Sequence, residues 1–561
     1  MFFKKQHIPF LLFSISCFFL LVSCGVSKSL KSRPNTTFYN SETPEKKQIN
    51  DSTFIAGNNF LSKNKQGLWE LYVAGDPLER GLITGSLTQE LFQKQEDYFL
   101  SKIDELVPSK FKQALLRKFL AWYNRKMYLH IPEEFKTEIY GLSKYASKKY
   151  NHIADEYLRV LYLHGAHDIG HALKDLALVG CSSFAVWGDK TDDGSLLIGR
   201  NFDFYAGDDF AKEKIISFVN PKKGHKFMSV TWGGMIGVVS GMNEHGLTVT
   251  INAGKSKIPL VAKTPISILT REILQYASNI KEAIAIAKKR QVFVSEAILV
   301  GSAKDKKAIS IEVSPKNFGV YEVQNSNRLI CSNHFQSNAY KDDKKNQKHI
   351  VESHSKYRFE RMEELLIKDR KVTPQIAVDI LRNKEGLKNE NIGYGNEKAL
   401  NQLLAHHAVV FKPEQRLVWV SSNPYQLGEF VAYDLNEIFK NRSKKTIPFT
   451  ISNSNLNIKE DDFQYSKAYK NYERYRVLKK LFITAIQQRK SIENHIIIEF
   501  EKSNPEYWEL HYLIGKYYYQ RKFYTAALYK FEVANAKEVT TLQDKQEIAS
   551  YIKKIKRKLA K

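Results

Sequence analysis

Gly180-Cys181-Ser182-Ser183-Phe184-Ala185-Val186-Trp187-Gly188, followed after a turn by Gly199-Arg200-Asn201-Phe202-Asp203-Phe204, decides how this chain is read. Before it, from about Leu87 to Leu178, glycines are few and apolar residues recur three or four apart, the period of amphipathic helices; Leu115, Phe119 and Tyr123 form one such stripe. At Val179-Gly180 the texture changes to strands. Residues 183–188 and 195–204 flank Lys190-Thr191-Asp192-Asp193-Gly194, a turn suited to a hairpin. A cysteine thus opens a hairpin whose second strand carries an arginine and an aspartate.

Further strands are expected over 214–219, 226–231, 236–240 and 247–252, then helices over 265–277 and 280–289. A second strand group covers 296–301, 308–313, 319–323 and 328–332; helices recur over 356–367 and 374–382, and strands close the pattern at 405–411 and 417–421. Grouped strands, grouped helices and strands again argue for a layered α+β domain rather than alternating βαβ units. Upstream, Leu68 to Val73 and Gly75-Asp76-Pro77 read as a short strand and turn. Beyond about Leu456 the chain is helical and rich in tyrosine. His511, Ile514, Gly515, Tyr518, Ala527, Phe531 and Ala534 sit at the offsets of one tetratricopeptide-type helix pair, with an ordinary helical hairpin as the plainer reading.

On its hairpin motif the chain resembles the acyl-coenzyme A:isopenicillin-N (6-aminopenicillanic acid) acyltransferase family and, more distantly, the choloylglycine (bile salt) hydrolases. Gly75-Asp76-Pro77-Leu78-Glu79-Arg80-Gly81 is similar to the acyltransferase family's N-terminal Gly-x-Pro-x-Glu-x-Gly stretch. Gly241-Met242-Asn243-Glu244-His245-Gly246-Leu247, Ile251-Asn252-Ala253-Gly254, Cys331-Ser332-Asn333 and Tyr357-Arg358-Phe359 resemble segments of the choloylglycine enzymes, so the likeness spans about residues 66 to 435. It implies an N-terminal-nucleophile hydrolase with a four-layer αββα core, cut between Gly180 and Cys181 by its own thiol. It also implies that Asn333 lies against the α-amine or the oxyanion and that Arg358 supports the charge network.

The chemistry has its own logic. Once Gly180–Cys181 is cut, Cys181 carries a thiol and an α-amine of pKa about 8, close enough to neutral to take the thiol proton, and no histidine is required. Arg200 on the neighbouring strand is placed to lower the thiol pKa, and Asp203 to accept a hydrogen bond from the α-amine. Asn252 suits an oxyanion hole. The plainer readings are a buried structural cysteine, a surface Arg200–Asp203 pair, turn asparagines at 252 and 333, and a solvated Arg358.

The 561 residues carry 43% hydrophobic and 26% charged residues, a globular composition with room for two or three domains. Lys4 and Lys5 precede an apolar run from Ile8 to Val22, and Leu21-Val22-Ser23-Cys24 resembles the lipobox of bacterial lipoproteins, which implies cleavage before Cys24 and its acylation. A plain secretory signal is the alternative. Several acyl chains anchor stably where one is marginal. The expected organisation is a signal over 1–24, a polar tether over 25–55, a mainly helical propeptide region over 56–180, the hydrolase core over 181–440 and a helical repeat-like domain over 456–561. Export to the cell envelope turns the net charge of +26 towards anionic lipid or glycan surfaces and away from nucleic acid. Of four cysteines only Cys181 and Cys331 then stay free for chemistry or for a disulfide.

His164, His167, Asp168 and His171 share one helical face at a spacing that can bind zinc, but lack a glutamate between two histidines, so capping or packing near the junction is the preferred reading. No metal and no cofactor is expected. The expected substrate is a small linear amide or acyl compound, such as an N-acyl amino acid or another fatty amide. The rival in another class is a non-catalytic surface lipoprotein whose helical end binds a protein partner.

Overall fold

The computed structural model describes residues 25–165, 168, 180–205, 207–255, 259, 261–367, 371–440 and 450–560. The hairpin forms as its sequence asks: strands Ser182–Val186 and Leu197–Phe202 pair antiparallel, with Ser183 opposite Arg200. Every residue of both strands is buried. They lie inside a six-stranded antiparallel sheet, between Arg328–Cys331 on one side and His407–Lys412, Leu417–Ser421 and Phe430–Asp434 on the other.

The second sheet has eleven strands and runs from Lys46–Asn50 at one edge to Phe318–Tyr321 at the other. Its first four strands, Lys46–Asn50, Thr53–Ala56, Asn59–Lys63 and Trp69–Gly75, precede Cys181 in the chain. Residues 46–50 and 53–56 therefore build a sheet edge where a tether was expected, while helices follow from Pro77 onward. The cause is burial: Phe60 and Leu61 are shielded, and Trp69–Gly75 joins Ile215–Pro221 through the sheet's parallel pairing. The strand expected over 236–240 starts only at Ser240. Upstream of it, Ile236 N–H is taken by His164 Nε2 and Val238 N–H by the Ser267 carbonyl, so these groups leave the ladder.

Alternation along the strands sorts the side chains into layers. Ala185, Ile198 and Val409 meet Phe218, Met228 and Leu299 of the larger sheet. Phe184 and Val410 point the other way, onto Met362 of helix Ser355–Ile367 and Ala377 of helix Pro374–Leu381. The outer face of the larger sheet, through Val249 and Val300, packs on Ile83 and Leu87 of helix Pro77–Leu106 and on Leu269 of helix Ile266–Tyr276.

The Gly75–Gly81 segment has a structural role that its spacing explains. Asp76 and Glu79 form a reciprocal capping box at the start of helix Pro77–Leu106, with Pro77 in the first turn, where its missing N–H costs nothing. A Cβ at Gly81 would stand 2.1 Å from the Glu138 carbonyl of helix Glu133–Ser143, so glycine permits the two helices to touch. Arg80 and Arg271 then converge on the buried Glu138 carboxylate. The stripe Leu115–Phe119–Tyr123 does not stay inside: Tyr123 is buried while Leu115 is 60% exposed.

Helices Lys467–Gln488, Asn494–Ser503, Trp508–Gln520, Tyr524–Ala536 and Leu542–Leu559 make up the C-terminal region. Gly515 lets helix Trp508–Gln520 approach the Phe531 ring, and Ala527, Phe531 and Ala534 are buried. Their apolar cluster takes in Leu403 and Leu427, so these helices share a core with the strand-bearing part of the chain. Among the described residues no helix is long and apolar enough to cross a membrane. The signal segment, Cys24, His167 and His171 lie outside the described residues.

Candidate active site

Cys181 enters at the start of the hairpin with 1% of its surface exposed. Its sulfur accepts a hydrogen bond from Arg200 Nη2 at 3.8 Å. The Arg200 guanidinium is itself fully buried and fixed by neutral partners: Nη2 donates to the Ile251 carbonyl at 2.6 Å, and Nη1 to the Val239 carbonyl at 3.2 Å and to Ser240 Oγ. Ser240 Oγ lies 2.9 Å from His407 Nε2. The cation also stands 4.3 Å from the centre of the Phe202 ring. This is no surface pair. Burial nevertheless outweighs the guanidinium: the Cys181 thiol is pushed up to about 11, with Arg200 opposing the shift and Asp203 adding to it. This thiol is thus not the low-pKa group that the Arg200 neighbourhood alone predicts.

Asp203 is fully buried one residue past the second strand, and neither carboxylate oxygen has a hydrogen-bond partner among the described residues. Burial lifts this carboxyl to about 7, with Arg358 and then Arg200 pulling it back. Its backbone carbonyl accepts the Gly180 N–H at 3.2 Å, which ties the Asp203 backbone to the residue before Cys181.

Arg358 comes from the helix over the smaller sheet and is entirely shielded from solvent. Its Nη1 lies within donating distance of the Gly180 carbonyl at 2.8 Å, the Cys181 carbonyl at 2.7 Å and Ser182 Oγ at 2.8 Å. Nη2 donates to Asn333 Oδ1 at 2.6 Å and Nε to His354 Nδ1 at 3.1 Å. With burial acting against the charge, Arg358 is held down to about 10, still a cation at neutral pH. Asn333, at a bend just past strand Arg328–Cys331, is buried. Its Nδ2 donates to the Ala253 carbonyl at 2.9 Å, and Ser355 Oγ accepts its backbone N–H at 2.8 Å. Asn252 sits within strand Leu247–Ala253, accepting from Ser183 Oγ at 2.8 Å and donating to the Cys331 carbonyl at 3.1 Å. One amide hydrogen of Asn252 is thereby committed to the backbone.

Arg200 and Asn252 thus come from two strands, Cys181, Asp203 and Asn333 from positions just outside strands, and Arg358 from a helix; Arg358 reaches the Gly180 and Cys181 carbonyls and holds Asn333, while Asn252 bonds the neighbouring Ser183. One neighbour escaped sequence reasoning. Gln402 Nε2 donates to the Gly180 carbonyl at 3.1 Å from a loop with no local motif. Only the fold brings it there.

The remaining candidates separate from this centre. Cys181 and Cys331 are both free and buried, so no disulfide joins them. His164 has both ring nitrogens in use, Nδ1 on the Val160 carbonyl at 2.8 Å and Nε2 on the Ile236 N–H at 3.0 Å. Asp168 accepts the Ile266 N–H at 2.8 Å at the start of helix Ile266–Tyr276. These are packing and capping roles. Among the described residues a group able to hold a cation lies elsewhere: donor atoms of His225, Glu244 and His245, at two sheet turns, fall within 4.8 Å of one another. His334 Nδ1 pairs with Ser355 Oγ at 2.8 Å, and His245 Nε2 with His225 Nδ1 at 3.1 Å.

Residues 189–424 match the family model for acyl-coenzyme A:6-aminopenicillanic acid acyl-transferase, a span that contains every site residue above except Gly180 and Cys181. An uncharacterized protein of Archaeoglobus fulgidus is 26% identical over 283 residues, covering 46% of this chain and 46% of that protein, so the chain spans less than half the length of this curated relative. Among solved structures, the Caenorhabditis elegans ortholog of N-acylethanolamine-hydrolyzing acid amidase aligns over 42% of this chain and 93% of its own, at 17% identity and a TM-score of 0.30. A mutant of the conjugated bile acid hydrolase from Clostridium perfringens aligns over 48% and 95%, at 15% identity and a TM-score of 0.33.

Proposed function

We propose that this chain, whose residues 189–424 match an acyltransferase family, is an N-terminal-nucleophile cysteine amidohydrolase or acyltransferase that activates itself by cutting Gly180–Cys181. The observation that carries the reading is Asp203, whose backbone holds the Gly180 N–H and whose fully buried carboxylate has no hydrogen-bond partner among the described residues. An unsatisfied buried acid is costly, and a new α-amine at Cys181 is the group that would satisfy it.

The self-cut runs in two steps. The Cys181 sulfur attacks the Gly180 carbonyl carbon; the C–S bond forms, the C–N bond breaks, and the thiol proton passes to the departing nitrogen, which becomes the α-amine of Cys181. Asp203, lifted to about 7, is matched to carry that proton. Water then displaces sulfur from the thioester, returning a proton to it and leaving Gly180 as a carboxylate. In turnover the α-amine takes the thiol proton, sulfur attacks the substrate amide, and water or an amine resolves the acyl-thioester.

A four-layer αββα reading is supported by the three apolar clusters that alternate helices, sheet, sheet and helices. For the substrate we favour an amide with an apolar acyl group. Phe92, Phe99, Phe204, Phe210, Trp232 and Met235, together with Gln95 and Glu96, line a small cavity, and Phe204 is the residue after Asp203. Export as a lipoprotein anchored through Cys24 rests on the lipobox-like segment.

Intact mass and N-terminal sequencing of the purified protein test the reading. Two co-purifying fragments, the larger beginning at Cys181, are expected, and a single uncut chain in Cys181→Ala. An uncut wild-type chain rejects self-activation; cutting that persists in Cys181→Ala rejects the nucleophile.

A further inference from the structure

The Gly180 carbonyl accepts from two side chains, Arg358 and Gln402, and the first alone was legible in the sequence. Gln402 is buried, and its loop is laced on all sides. Asn201, next to Arg200 on the central hairpin, donates from Nδ2 to the carbonyls of Leu381 and Leu400, each at 2.9 Å. Asn401 Oδ1 accepts the Leu403 N–H at 3.0 Å, and Asn401 N–H reaches the Asn383 carbonyl at 2.8 Å. From the C-terminal helices, Tyr472 donates its hydroxyl to the Leu403 carbonyl at 3.4 Å. The Gln402 amide is thus held on the carbonyl rather than resting there as a flexible surface group.

Gly180 answers the same constraint. A Cβ at this position would lie 2.2 Å from Gln402 Nε2, so glycine is the residue that lets this donor close on its own carbonyl.

We infer that Gln402 is a catalytic residue of the self-cut: with Arg358 it forms the oxyanion hole for the tetrahedral intermediate created when sulfur attacks Gly180. This rests on the Cys181 reading proposed above and extends it to the stabilisation of the intermediate. As the Gly180 carbonyl oxygen gains negative charge, Arg358 supplies a charged donor and Gln402 a neutral one, both already in place before the bond forms. The geometry also gives the C-terminal helices a part in the chemistry. Tyr472 holds the loop that holds the donor.

The test follows self-cleavage of the full chain over time by intact mass, starting from protein purified uncut at low temperature. Gln402→Met keeps the length of the side chain and removes the donor; cutting is expected to slow about 10²-fold, the usual scale for one oxyanion donor, with thermal stability close to wild type. Wild-type cutting kinetics in a folded Gln402→Met would overturn the inference while leaving Cys181 as nucleophile. A wild-type chain that never cuts would overturn the Cys181 reading and the inference with it. Gly180→Ala provides a second arm that leaves Gln402 in the chain. The added methyl is expected to displace the amide and slow the cut, and Gly180→Ala with Gln402→Ala is expected to remain slow because the donor is gone. Recovery to wild-type rate in that double variant would mean that only the clash mattered, and Gln402 would lose its role.

Discussion

Gly180 donates its backbone N–H to the Asp203 carbonyl at 3.2 Å, so the residue before the junction is fastened to the residue whose carboxylate has no hydrogen-bond partner among the described residues. Cutting the chain at Cys181 would place an amine beside that acid.

Asp203→Asn keeps the shape and removes the base, and self-cleavage is expected to stop. The same substitution reports the buried charge when introduced into the uncut Cys181→Ala chain. The carboxyl is lifted from an ordinary 3.8 to about 7, so the folded chain binds a proton more tightly than the unfolded one. A raised folded-state value means that its stabilising contribution is complete below pH 3.8 and is lost as pH rises through 7. The amide of the variant mimics the protonated acid. The melting temperature of Asp203→Asn is expected to match the parent near pH 4 and to exceed it increasingly towards pH 8; equal values at pH 8 would show that the carboxylate is not buried unpaired.

The Cys181 thiol sits behind 1% exposure, and burial pushes it up to about 11. Iodoacetamide is expected to leave it unlabelled in uncut Asp203→Asn at pH 7.5, while the cut wild-type enzyme is labelled and inactivated. Peptide mapping distinguishes Cys181 from Cys331, which burial pushes still higher and which serves as an internal control. Rapid labelling of the uncut chain at Cys181 would contradict the burial described for this site.

His164 is engaged at both ring nitrogens, so a chelator is expected to leave turnover unchanged. His164→Ala removes the acceptor of the buried Ile236 N–H and is expected to cost about 1–3 kcal/mol in denaturant unfolding. A chelator that abolished activity would instead direct attention to the cluster of His225, Glu244 and His245.

Much of the site was legible because its residues sit where the polypeptide pattern changes. Cys181 opens a strand run after a helical stretch, and Arg200 and Asp203 follow at hairpin distance, so strand spacing alone brings Arg200 beside the thiol. Partners given by long-range topology were not legible. Gln402 lies 222 residues from Gly180 in a loop whose path depends on Asn201 and Tyr472. The outermost strand Lys46–Asn50 looks polar and tether-like because its side chains stay at or near solvent, whereas Phe60 and Leu61 further on register the burial of strand Asn59–Lys63. Phe430–Asp434 pairs with Leu417–Ser421 as the outermost strand of its sheet, a position that five residues of sequence do not announce. Net thiol acidity was misjudged for a related reason: a neighbouring arginine is visible in sequence, whereas complete desolvation is a property of the packed core.

The proposed cut at Cys181 would leave two chains that must stay together, and the fold indicates what would hold them. Glu138 lies before the cut, in helix Glu133–Ser143, and receives Arg80 from helix Pro77–Leu106 together with Arg271 at 3.2 Å from helix Ile266–Tyr276, after the cut. The three side chains are almost wholly buried, and the two cations hold the Glu138 carboxyl below its ordinary value despite the burial. Glu138→Ala would leave two guanidinium groups with only the partly shielded Glu134 carboxylate, 3.4 Å from Arg80, as counter-charge, a loss on the order of 3–5 kcal/mol. The parallel pairing of Trp69–Gly75 with Ile215–Pro221 crosses the cut as well, so the fragments are not expected to separate in native buffer. The expected outcome is a cut Glu138→Ala enzyme that elutes as one complex but dissociates at lower denaturant than wild type, with Arg80→Ala milder because Glu138 keeps Arg271. If Glu138→Ala unfolds at the wild-type midpoint, the ion cluster contributes nothing to holding the fragments, and the strand pairing must carry that role alone.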